Sequence, residues 1–299
     1  MKKILLILTL VILAINCMNT NAQASLVSTR TYRQEQNKIN KVETKQIKKL
    51  FVLHSQFANQ HDITGLKTLY YDNYINSDGF NKEAYFKSIE ETWDECKDLA
   101  YTTKIRSIDI NGNNASVTVE ESAIGTIYDK LDKLSITGEI HAKSTSIYQL
   151  VKINDKWFIS GEIMLTDESS LLYGDARFMN IELIAPNQVG AGEEYTITAK
   201  AEADKNTVIV GSIEHDPVVY PSKIPEGPLR TMPKTNVLER FIKANTDNIN
   251  EYAVVSLAIS KAVSDSFNGT KIYVAGVACL MKRVNVIPKN NFVKLEVKE

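Results

Sequence analysis

The chain has 299 residues, 43% of them apolar and 24% charged, with 13 Gly, 7 Pro and 3 Cys. Those proportions exclude an intrinsically disordered chain, a collagen-like repeat and a disulfide-dense scaffold, and the length suits two domains of ordinary size. With 35 basic and 36 acidic residues the formal net charge is −1, which leaves no electrostatic footprint for nucleic acid.

The chain opens as an export signal. Lys2 and Lys3 precede an apolar run from Ile4 to Ile15, broken only by Thr9. The run is shorter than the roughly 20 residues a membrane-spanning helix needs. Ala22-Gln23-Ala24 then supplies the small-x-small pattern of a signal-peptidase site. The expectation is cleavage after Ala24 and a periplasmic or extracellular product. Lipidation at Cys17 is the rival, weakened by Asn16 and Ala14 at positions where a lipoprotein signal prefers other residues. No later apolar run approaches spanning length. Export permits a disulfide between the remaining Cys96 and Cys279, but two cysteines so far apart in sequence make no framework, and two separate buried thiols are the expectation.

Residues 25–43 are polar and read as a leader. Ile47, Leu50, Phe51, His54, Phe57 and Ala58 then recur at helical spacing, with His54 inside the apolar stripe. Asp62 is placed to cap a short helix carrying Ile63, Leu66 and Leu69, and Asn81 to cap a third. The inner face of that third helix would hold Tyr85, Ile89, Trp93 and Cys96.

The period changes to two after Asn111-Gly112. Ala115, Val117 and Val119 alternate with polar residues. Gly138 to Val151 reads as a long strand, and Asn154-Asp155 turns it into Lys156–Ser160. Helices followed by antiparallel strands predict an α+β domain, a cone of helices on a curled sheet, over residues 44–172. From residue 176 to 290 nearly everything reads as strand and turn: Met179–Ile184, Glu194–Ala203, Thr207–Ile213, Tyr252–Val263 and Lys271–Val286. That pattern predicts an all-β sandwich. Val237–Ala244 fits helix or strand.

Several local signatures carry a family resemblance. Phe57-Ala58-Asn59-Gln60-His61-Asp62-Ile63-Thr64-Gly65-Leu66, then Leu69 to Ile75 and Asp78-Gly79, resemble the opening of the nuclear-transport-factor-2-like superfamily. That group includes ketosteroid isomerases, scytalone dehydratase and polyketide-cyclase-like proteins. Tyr148 to Lys152 with Lys156 to Ile159 is similar to its last two strands. The C-terminal part only loosely resembles exported immunoglobulin-like modules, through Val189 to Tyr195.

The resemblance implies a general base at Asp78 and, at His54, the position of a donor to an enolate oxygen. A base and a donor facing one apolar pocket suit proton abstraction next to a carbonyl. This sequence departs from the family pattern in having His as the donor. It also lacks an acid near Ser146 or Ile147, where a second donor belongs. Asp78 also fits a plain Asp-Gly turn, exposed and bonded to nearby backbone, and His54 a core histidine. Tyr70, Tyr74, Trp93 and Tyr148 would line a ligand pocket or form an aromatic core. Glu139 and His141 share a strand face, but no third metal ligand is placed, and no cofactor motif is read: Gly190-Ala191-Gly192 lacks the third glycine and the following helix of a phosphate loop.

Two function classes follow. The first is an exported binding or interaction protein. Its cone holds a small apolar ligand or is purely structural, and its sandwich contacts an envelope protein. The second is an isomerase, dehydratase or cyclase with Asp78 as base.

Overall fold

In the computed structural model, residues 40–131, 134–202, 204, 206–221, 227–265 and 269–289 are described. The expected signal peptide, Cys17 and the expected leader up to residue 39 lie outside them. The chain divides into two compact units, Met1–Leu50 and Phe51–Glu299. In the first, residues 40–50 are helical, so the helix already runs at 40–43, inside the expected leader, and Ile47 and Leu50 are buried. In the second unit residues 51–59 form α1.

The second unit starts with the helical residues 51–59. It continues through α2 (Ile63–Lys67), β1 (Tyr70–Asn76) and α3 (Lys82–Glu95). The capping residues act as their chemistry requires. The Asp62 carboxylate accepts from Gly65 N at 2.8 Å, and the Asn81 side chain from Ala84 N at 2.9 Å. Four long strands follow: β2 (Ala100–Asn111), β3 (Asn114–Leu131), β4 (Leu134–Ile153) and β5 (Lys156–Gly174). Asn154 and Asp155, both at positive φ, make the hairpin turn that joins β4 to β5.

A single 3-10 turn, Asp175–Phe178, leads into β6 (Ile181–Ile184), β7 (Gln188–Gly190), β8 (Glu194–Ala201), β9 (Thr207–Pro217) and β10 (Arg230–Thr231). The last strands are β11 (Val237–Lys243), β12 (Glu251–Asp265) and β13 (Gly269–Ile287). The segment 237–244, open between helix and strand in the sequence, is strand.

One sheet runs in the order β10-β9-β12-β13-β5-β4-β3-β2, with β1 parallel to β5 and β7 parallel to β13. A second sheet has the order β11-β8-β6. Directly paired residues share a face, which sorts the large sheet. Val117, Val119 and Tyr148 lie on the face that carries the helices. Ile213, Val255, Leu257, Ala278 and Leu280 lie on the opposite face. There they form one buried cluster with Ile197 and Ala199 of β8 and Leu238 and Ile242 of β11.

β5 differs from expectation. It does not stop at Ser160 but runs to Gly174, pairing β4 on one side and, from Glu168 onward, β13 on the other. The pairing of β5 with β13 therefore makes one continuous sheet out of strands from both expected domains. Thr166, Glu168, Ser169 and Ser170 mask the strand in the sequence because they supply no apolar alternation. Gly174 ends it at φ +55, where a side chain would strike the Ala275 carbonyl. Two register shifts against β4 leave Ser160 and Leu165 as extra residues in β5. Each such bulge moves the residues beyond it to the other face.

Candidate functional site

The first bulge decides the chemistry inside the helical layer. Trp157 and Ile159 point inward, so strict alternation would send Glu162 to solvent. The extra residue at Ser160 turns it inward instead, directly opposite Tyr148 of β4. Glu162 is 4% exposed and accepts from the Tyr74 hydroxyl at 3.3 Å. Burial pushes its pKa up to about 7, and the nearby Glu121 carboxylate adds to the rise. Glu121 in turn accepts from the Tyr148 hydroxyl at 2.8 Å and from Thr103 Oγ1 at 3.3 Å. Burial raises the pKa values of Tyr70, Tyr74, Tyr85 and Tyr148 well above the ordinary phenol range. These hydroxyls therefore stay protonated and donate.

His54 lies where the apolar stripe put it, buried on the inward face of α1. Its Nε2 is 2.9 Å from the Tyr70 hydroxyl, and its ring packs 6.0 Å from that of Tyr148. Burial lowers its pKa, so the ring is neutral at physiological pH. Tyr70 contacts Tyr74, Tyr85 and Phe86 ring to ring, at 5.1, 5.7 and 4.9 Å between centroids. Tyr70, Tyr74 and Tyr148 are thus brought together, each buried among other rings and acids. Trp93 is buried too but makes its contacts elsewhere. It stacks on His61 at 4.7 Å and donates to the Tyr101 hydroxyl at 2.9 Å.

Asp78 is not in this group. The turn it was expected to stabilise is held by Asn76, whose side-chain oxygen accepts from Asp78 N and Phe80 N. The Asp78 carboxylate instead reaches across the sheet to β13. Arg283 grips it bidentately, Nη2 to Oδ1 at 2.6 Å and Nη1 to Oδ2 at 2.9 Å. Asn250 Nδ2 adds a third bond at 2.8 Å. The side chains of Arg283 and Asp78 are 0% and 6% exposed. Burial opposes the Arg283 charge, but the Asp78 carboxylate outweighs it and the guanidinium's pKa rises. Arg283 Nε donates to Asn285 Oδ1 at 2.7 Å. Beside this pair the Tyr252 hydroxyl donates to Asp167 at 2.7 Å. His54 and Asp78 share no hydrogen-bond partner among the described residues.

Glu139 and His141, the strand pair considered for a metal, lie 3.7 Å apart, and Arg177 bonds Glu139 at 3.2 Å. Cys96 and Cys279 are both free thiols.

No protein-family model and no curated protein matches the sequence. Solved structures do match its N-terminal region. The hexachlorocyclohexane dehydrochlorinase LinA-type3 from Novosphingobium barchaimii LL02 is 11% identical, covering 42% of this chain and 86% of that one at a TM-score of 0.32. A ketosteroid isomerase-like protein from Erwinia carotovora atroseptica is 12% identical, with coverages of 40% and 92% and a TM-score of 0.29. An NTF2-like family protein from Streptomyces avermitilis is 10% identical, with coverages of 42% and 96% and a TM-score of 0.31. The likeness is to nuclear-transport-factor-2-like structures. It concerns the N-terminal region.

Proposed function

We propose that this is an exported interaction protein whose N-terminal cone is closed on its own side chains and serves as a support. In this reading residues 44–172 supply the cone and residues 176–290 a β-sandwich that meets a partner. The observation that carries it is the Asp78–Arg283 pair. A general base must hold a free lone pair within reach of its substrate. The Asp78 oxygens are taken by three donors, and releasing the carboxylate would strand a buried guanidinium. The packed rings of Tyr70, Tyr74, Tyr85 and Phe86 support the same reading, because they occupy the interior a ligand would need.

One observation favours the second reading, an acid–base enzyme. Glu162, with a pKa pushed up to about 7 and tyrosine hydroxyls around it, has the basicity that Asp78 was expected to supply. It would act only if Tyr74 and Tyr148 swung aside. The test is incubation of the purified protein with a β,γ-unsaturated cyclic ketone, read by the absorbance of the conjugated product. The expected result is no rate above buffer. Turnover that survives Asp78→Asn and disappears in Glu162→Gln establishes the second reading. Turnover lost in Asp78→Asn overturns the locked-carboxylate argument.

A further inference from the structure

A groove of about 420 Å³ opens on the helix-free face of the large sheet, beside β6. Its lining includes all four residues of that strand, Ile181 to Ile184. Successive strand residues point to opposite faces, so a groove that touches all four runs along the edge of the strand. Among the described residues β6 is the outermost strand of its sheet, with β8 on its other side.

The ladder fixes which backbone groups lie on the free edge. Ala201, the partner of Ile181, turns its N–H away from β6 to the Asn236 carbonyl, while Glu202 N donates to Asn180 O. Ile181 and Ala201 are therefore a non-hydrogen-bonded pair, and by alternation Ile181 and Leu183 direct their N–H and C=O groups into the groove.

The opposite wall comes from β4, β5 and β13. Its rows are His141–Ser170–Leu280 and Lys143–Glu168–Lys282. Leu280 is buried, and Ile181 and Leu183 pack against the same core, which makes an apolar strip beside β6, while Glu182 of that strand also lines the groove and lies 4.0 Å from Lys200. Glu168 is neutralised by Lys282 at 2.7 Å. Lys143 is exposed and takes part in no ion pair among the described residues. The groove thus offers two outward-facing backbone donor and acceptor sets, an apolar strip and the exposed cation of Lys143.

We propose that this groove takes an extended peptide segment of a partner protein, added as a fourth strand beside β6. Its apolar residues face Leu280, and an acidic residue meets Lys143. Strand addition satisfies edge amides that otherwise depend on water, and the alternating floor supplies selectivity. Four residues of strand span about 13 Å, the reach of one short recognition segment. The proposal rests on the reading of the chain as an interaction protein and names its surface.

The test uses the full-length mature chain and a blocked heptapeptide that alternates valine and threonine around one central glutamate. Backbone amide hydrogen exchange by NMR should show new protection at Ile181 and Leu183 when the peptide is added. Lys143→Glu, at an exposed position, should weaken binding about tenfold, and a lysine-centred peptide should regain what that variant loses. No binding at about 1 mM peptide, or binding indifferent to Lys143→Glu, overturns the proposal. So does protection of both amides in the free protein that grows with protein concentration, which would place a second copy on the edge. Binding that protects amides elsewhere overturns the groove but leaves the interaction reading standing. Enone turnover by the same preparation overturns that reading itself.

Discussion

Glu162 makes stability depend on pH in a direction opposite to most carboxylates. Its folded-state pKa is about 7, against an ordinary 4.5. Below the ordinary value the group is neutral in both folded and unfolded chains and costs nothing. As pH rises past 4.5 the unfolded chain releases this proton first, so the native state is penalised progressively until the folded pKa is passed. At 4% exposure solvent screening is slight. The full difference is worth about 3 kcal/mol. Glu162→Gln keeps the shape and removes the titration. Urea unfolding of both proteins at intervals from pH 4 to pH 8 reads the effect, because groups that do not interact with Glu162 cancel in the difference. The variant should gain on the parent as pH rises, by about 3 kcal/mol over that range. A difference that stays flat with pH would refute the burial argument and the inward turn given by the Ser160 bulge.

Trp157, 3% exposed near the start of β5, is a packing residue. Trp157→Ala should cost about 3–5 kcal/mol in chemical unfolding, and a loss below about 1 kcal/mol would contradict the register of β5. Tyr74→Phe removes a donor to a buried acid and should destabilise by about 1–3 kcal/mol at pH 8, where Glu162 is charged, and by less at pH 5. N-terminal sequencing of the exported product should begin at Ser25, and a lipid-modified Cys17 would show the other signal class.

Local chemistry was legible because it is local. Asp62 and Asn81 cap their helices, Asn154-Asp155 turns the chain, and Ala115, Val117 and Val119 face inward, as spacing alone indicates. His54 was legible as an inward residue, but its partner Tyr70 was not assigned. Glu162 went unnoticed because a one-residue bulge reverses the face of everything beyond it, and no period in the sequence announces the bulge. Asp78 offered two local readings, an exposed turn and a pocket base, and its actual partner lies 205 positions away. Arg283 sits in a strand of Val, Ile and Met, where a lone arginine is the one signal of a buried charge in need of a counterion. The continuity of the sheet through β5 and β13 is hidden in the sequence because Glu168, Ser169 and Ser170 read as linker.

A double-mutant cycle on Asp78 and Arg283 tests the central claim most directly, since it asks whether the carboxylate is held or free. Asp78→Ala and Arg283→Met each leave one buried charge without its partner and should each cost about 3–5 kcal/mol in equilibrium unfolding. The double variant should recover a large part of that loss, giving a coupling energy of about 2–3 kcal/mol. A coupling near zero, with Asp78→Ala nearly as stable as the parent, would show a carboxylate free to act as a base and would contradict the account.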